Sequence, residues 1–185
     1  PYYVYPNALQ VKSSTACSSI HSGKIPSRKD KSLSILCRLS VTYMESRGIF
    51  FADNIKDVCD ANGFQIRRAY DILATFKALG LVQGIPNHSA SYVWLGVQGF
   101  LGRVESLRNC HAVPYKFHTK FTMEMLTTSC LFLLCHRRCK SLKIKHVKRS
   151  LREVYLNCSE NSTFQRRIYD ILNVFSCFPD LIKTL

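Results

Sequence analysis

Acidic residues are scarce: the 185-residue chain has twelve Asp and Glu against twenty-six Lys and Arg. The formal net charge is therefore +14 with neutral histidines, and the pI is near 9.6. Such a balance is the electrostatic footprint of a protein that meets polyanions, nucleic acid first among them. Long apolar runs are missing too; the strongest, Cys130 to Cys135, is far short of the ~20 residues that span a bilayer, so no membrane is expected. The N-terminus has neither a starting Met nor a basic region followed by an apolar one, and the sequence reads as a soluble piece of a longer chain. No segment offers a nucleophile elbow, a phosphate-binding glycine loop or paired catalytic carboxylates, so no enzyme, no small-molecule substrate and no cofactor is expected. Nine cysteines, an odd number scattered through apolar patterns, fit reduced thiols of the nucleus or cytosol better than a disulfide framework. What remains, 46% hydrophobic and 21% charged residues, is a globular mixture that excludes collagen, coiled coil and wholesale disorder.

Comparing the chain with itself is the informative step. Arg67-Arg68-Ala69-Tyr70-Asp71-Ile72-Leu73-Ala74-Thr75-Phe76 recurs as Arg166-Arg167-Ile168-Tyr169-Asp170-Ile171-Leu172-Asn173-Val174-Phe175, with seven of ten positions identical at an offset of 99. Two copies of one small domain are implied. Around the first, apolar spacing predicts a helix over 31–46, an extended piece at Ile49-Phe50-Phe51, a helix over 54–61 capped by Asp53, and a third helix over 64–79 ended by Gly80. Leu81–Gln83 and Tyr92–Leu95 then read as a strand pair. Three helices closed by a β-hairpin describe a winged helix.

The second copy repeats this order with a helix over 119–138, a β-like stretch over 142–145, a helix over 146–155 and a third over 162–178 that opens on a Ser162/Gln165 capping-box pattern. Leu181 to Leu185 supplies only the first strand of an incomplete wing. The expected fold class is α+β, mainly α, with tandem winged-helix domains at 27–96 and 119–185. Residues 1–26 are expected to be a flexible leader, and 97–118, lacking helical periodicity, a linker. The 22-residue linker has a root-mean-square reach of about 26 Å, enough to let both units dock on one duplex.

On the repeated helix, Ala69, Ile72, Leu73, Phe76 and Leu79 form an apolar stripe; Arg67, Asp71 and Ala74 lie opposite, with Arg68 on the flank. Planar guanidinium forks at the start of such a helix suit bidentate pairing with guanine in a major groove, a contact that discriminates by about 1–3 kcal/mol. Asp71, three and four residues beyond the pair, is placed to orient a fork. Tyr70 and Tyr169 are expected beside the stripe, packing more than reaching phosphate. The bland reading is a solvated face with weak intrahelical ion pairs, but its duplication at Arg166, Arg167, Tyr169 and Asp170 favours a binding role.

At these residues the chain resembles the E-two-F/DP family of cell-cycle transcription factors, whose winged-helix domains carry Arg-Arg-x-Tyr-Asp on the third helix. Arg28-Lys29-Asp30-Lys31-Ser32-Leu33 resembles the family's basic arm, and Asn87-His88 followed by Tyr92-Val93-Trp94-Leu95-Gly96 the end of its wing. Asn157–Thr163 is similar to the second domain of atypical members that hold two DNA-binding domains in one polypeptide. The resemblance implies a nuclear, DP-independent regulator of RNA polymerase II promoters, mostly a repressor, acting on double-stranded DNA as an intramolecular pseudo-dimer; pairing with a separate DP-like subunit is the alternative. It further implies that Arg67, Arg68, Arg166 and Arg167 read the G·C core of a TTTSSCGC-type element, with Tyr70, Asp71, Tyr169 and Asp170 beside them, and that Arg28, next to Lys29, enters the neighbouring minor groove. Ile66 and Gln165 depart from the basic residue typical before the pair.

Eight basic residues with no acid between positions 137 and 152 suggest phosphate tracking in the second copy. Cys130, Cys135, His136 and Cys139 lack a second pair at zinc-finger spacing, so no metal is expected. The rival function is a tandem winged-helix scaffold that binds protein and meets nucleic acid only non-specifically.

Overall fold

Leu33, Leu36, Cys37, Ser40 and Met44 recur every three or four residues and form the buried face of helix α1 (Leu33–Arg47). The computed structural model describes residues 33–88, 90–115, 121–136, 143–155, 162–183 and 185. After α1 come strand β1 (Ile49–Phe51), helices α2 (Ala52–Ala61) and α3 (Arg67–Leu79), then strands β2 (Val82–Gly84) and β3 (Ser91–Trp94). The strands form one antiparallel sheet in the order β1-β3-β2, with Ile49 opposite Val93 and Val82 opposite Trp94. The remaining elements are helices α4 (Gly96–Arg108), α5 (Met123–Cys135), α6 (Ile144–Val154), α7 (Ser162–Phe175) and α8 (Pro179–Lys183). Among the described residues the protein is thus mainly helical with one small sheet, and no helix is long and apolar enough to cross a membrane.

Local chemistry sets most of the boundaries. Helix α2 starts two residues before the expected position, because Asn54 Oδ1 accepts from the backbone N–H of Phe51 at 2.9 Å; Asp53, the expected cap, pairs instead with Lys56. Thr122 caps α5 by accepting from the N–H of Met125 at 3.2 Å. Gly80 ends α3 in the left-handed conformation, at φ 77°.

The two copies share one core. Helix α5 is buried without interruption from Leu126 to Leu133, and α3, α4, α6 and α7 all pack on it. Thr127 and Ser129 are tolerated there because their hydroxyls donate to the carbonyls of Met123 and Met125, each at 2.8 Å. Helix α1 packs on α7, and the Phe76 ring meets Phe178 edge-on at 6.0 Å, so side chains 102 residues apart close the same interior.

Three expectations are corrected here. The stretch read as an aperiodic linker is largely helix α4: Phe100, Val104 and Leu107, spaced by four and three, are buried against the core. The glycines that masked this periodicity allow close backbone approach, since a Cβ on Gly99 would lie 2.1 Å from the Gly80 carbonyl oxygen. Arg103 completes the junction by donating to the Ala78 carbonyl at 3.2 Å, near the carbonyl end of α3. Second, Ile144 and Lys145, read as β-like, begin α6, whose Val147, Ser150 and Leu151 face inward; Leu142 lies outside the described residues. Third, residues 181–183 of the expected incomplete wing belong to α8, where Pro179 occupies the first helical position and Asp180 pairs with Lys183 at 3.1 Å; Thr184 lies outside the described residues.

Candidate functional site

The duplicated motif falls on α3 and α7. On α3, Ala69, Ile72, Leu73, Phe76 and Leu79 are buried and Arg67 is exposed. On α7, Ile168, Ile171, Val174 and Phe175 are buried and Arg166 is exposed. Both apolar stripes therefore anchor their helices and turn the first arginine of each pair toward solvent.

The second arginines behave otherwise. Arg68 Nη1 donates to Asp71 Oδ2 at 3.2 Å on its own helix and to Asp170 Oδ2 at 2.7 Å on α7. The three side chains keep only 18%, 23% and 14% of their exposure, so this is a shielded network rather than a surface pair. Burial opposes the charge on Arg68, but its hydrogen bond and attraction to Asp170, helped by Asp71, prevail and raise its pKa above the ordinary arginine value. Arg167 is half-buried and donates through Nη1 to the backbone carbonyl of Phe121, just before α5. The expectation that all four guanidinium groups point outward is corrected: Arg67 and Arg166 do, whereas Arg68 and Arg167 are directed to partners inside the protein. The cause is their flank position at the margin of the stripe, where Arg68 meets Asp170 of the other copy and Arg167 meets the Phe121 carbonyl of its own.

Tyr70 and Tyr169 correct the expectation of packing, being 52% and 54% exposed. About 100° per residue sets each roughly 60° from the arginine three positions earlier, hence on the solvent face. The ammonium of Lys56, from α2, lies 5.5 Å from the Tyr70 ring centroid, a cation–π contact that sequence spacing gave no means of finding. Arg67 and Tyr70 are thus both exposed on α3, with the half-buried Lys56 over the Tyr70 ring, and Arg166 and Tyr169 are exposed at the equivalent positions of α7.

The basic stretch of the second copy is described from Lys143 onward. Lys143, Lys145, Arg149 and Arg152 are exposed on or beside α6, and Arg149 pairs with Glu153 at 2.8 Å. Arg137, Arg138 and Lys140 lie outside the described residues, as do Arg28 and Lys29 of the expected basic arm and the 1–26 leader. Of the cysteines and histidine weighed for zinc, Cys130 is buried and Cys135 has its pKa raised by burial. His136 Nε2 lies 2.9 Å from the Leu107 carbonyl oxygen, joining the ends of α5 and α4, and Cys139 lies outside the described residues.

Asp170 is the residue whose role sequence reasoning missed. Its place in the motif was visible, but that its carboxylate serves the arginine of the other copy depends on how α3 and α7 pack. No protein-family model, curated protein or solved structure matches this chain.

Proposed function

We propose that the protein is a sequence-specific, double-stranded DNA-binding transcription regulator made of two winged-helix units, of the E-two-F/DP type that its repeated motif resembles. The order α1-β1-α2-α3-β2-β3 supports the first unit, with the β2–β3 hairpin as its wing; α5, α6 and α7 repeat the three helices of the second. In this reading α3 and α7 are the recognition helices, Arg67 and Arg166 contact guanine edges, and exposed cations such as Lys145 contact phosphates. Asp71 and Asp170 hold Arg68 in one rotamer inside the protein, so that it fixes α7 beside α3 while Arg67 and Arg166 are left to meet the bases. Nuclear location, repression and independence from a DP-like subunit follow from the same resemblance.

One observation carries the proposal: equivalent arginines stand exposed on two helices that an ion pair of 2.7 Å links side by side. Readers so joined address one contiguous element, because separate half-sites about one turn of duplex apart would need centres ~34 Å apart. The double substitution Arg67→Ala with Arg166→Ala tests this in a mobility-shift titration against duplexes with and without a G·C core. Losing a bidentate guanine contact removes about 1–3 kcal/mol, so discrimination should fall by roughly 5- to 150-fold per arginine. Unchanged discrimination, or wild-type binding that is salt-sensitive but blind to sequence, would favour the scaffold reading instead.

A further inference from the structure

We propose that Cys177 is an oxidant-modified thiol and that Cys37 resolves it, closing a disulfide between α1 and the turn that follows α7. The two residues come from different copies of the repeat and meet where α1 packs on α7. Cys177 Sγ lies 3.4 Å from the carbonyl oxygen of Ser34, on α1, and 3.4 Å from that of Asn173. Helical side chains lean toward the N-terminus, so the Cys37 thiol lies over the turn that holds Ser34, against Cys177. Ser34 stands one turn before Cys37, which lies on the buried face of α1, and both cysteines are free thiols.

The pair is asymmetric in the way a modification site requires. Cys37 is fully buried, whereas Cys177 is partly exposed. The neighbouring Cys37 is the largest influence on Cys177; burial opposes it, Arg38 and Ser176 assist, and the pKa is lowered to about 7. The neighbouring Cys177 and burial push the Cys37 thiol far up, so Cys37, enclosed in the core, stays a thiol. Of the two, only Cys177 can be reached by a small oxidant from solvent, so Cys177 is the nucleophile and the buried Cys37 the reserve.

The co-reactant is a peroxide. The Cys177 thiolate attacks one peroxide oxygen, the O–O bond breaks, and hydroxide leaves as Cys177 becomes a sulfenic acid. The Cys37 sulfur then attacks the Cys177 sulfur; the S–S bond forms, the S–O bond breaks, and the hydroxyl departs with the Cys37 proton as water. Two thiols are oxidised by two electrons, and one hydrogen peroxide is reduced to two waters. The ring so closed spans residues 38–176 and ties the two copies covalently.

A pKa near 7 adds little speed. Against an ordinary thiol of pKa about 8.5, the roughly 16-fold gain in thiolate at pH 7 is cut by weaker nucleophilicity to about threefold. The identity of the partner, not the rate, is the decisive reading. The test treats the reduced wild-type chain with hydrogen peroxide, blocks the remaining thiols, and maps an unreduced digest by mass spectrometry. The expected product is a monomer lighter by two hydrogens, with the Cys37 and Cys177 peptides joined. In Cys37→Ala, Cys177 should persist as a sulfenic acid trapped by a 1,3-diketone; in Cys177→Ser, Cys37 should remain a thiol. Recovery of wild-type Cys37 as a blocked thiol while Cys177 is over-oxidised, or joining of Cys177 to a different cysteine, overturns the proposal. The wild-type map decides the matter even where a substituted chain fails to fold.

Discussion

Replacing Asp170 by Asn removes the charge that α7 extends to Arg68 while keeping the side-chain volume. At 2.7 Å, with both side chains below one-fifth exposure, the bond is charge-assisted and shielded from water. A hydrogen bond to a charged group contributes about 1.5–3 kcal/mol. Asp71 remains 3.2 Å from the same nitrogen and keeps the guanidinium from being wholly unpaired, so the loss should fall at the lower end, about 1.5–2 kcal/mol. For a chain of this size each kcal/mol moves the midpoint of thermal unfolding by about 2–4 °C, giving an expected fall of roughly 3–8 °C. Urea unfolding with an unchanged m-value is the assay, extended to a double-mutant cycle with Arg68→Met. A coupling of about 1 kcal/mol or more is expected between the two sites, whereas Asp71→Asn, which breaks only a longer contact within α3, should couple more weakly. Additivity within about 0.3–0.5 kcal/mol for Asp170 and Arg68 would refute the claim that this ion pair joins the two copies.

Two further outcomes follow from the packing of α4. Phe100→Ala should destabilise the whole chain by about 3–5 kcal/mol in chemical unfolding, because its ring is buried in the shared core; a cost near zero would mean that this stretch is a passive connector. Gly99→Ala should lower the thermal midpoint sharply, its Cβ falling 2.1 Å from the Gly80 oxygen, while Gly102→Ala, with nothing within 4 Å, should raise stability by up to about 1 kcal/mol. Equal effects at the two glycines would contradict the close approach of backbones.

The legible and the illegible parts of this protein divide by the range of the interactions involved. The periodicity of α1, the left-handed stop at Gly80, the two strands after it and the apolar stripes of α3 and α7 all depend on residues within a few positions of each other, and all could be read along the chain. Helix α4 escaped because Gly96, Gly99 and Gly102 look like loop punctuation until the backbone that Gly99 approaches is known. The extended reading failed at 181–183 for a related reason: Pro179 suggests a break, yet at the first turn of a helix its ring and missing N–H cost nothing.

Amino-acid order alone was enough to establish the duplication, the excess of positive charge and the stripe that keeps Arg67 and Arg166 in water, since each is a matter of composition or of angle around one helix. Whether Arg68 and Arg167 face solvent was left to tertiary packing, between the copies for Arg68 and within the second copy for Arg167. Both occupy a flank, where rotation about the helix axis allows either outcome, and the carboxylate of Asp170 and the carbonyl of Phe121 that claim them arrive from 102 and 46 residues away.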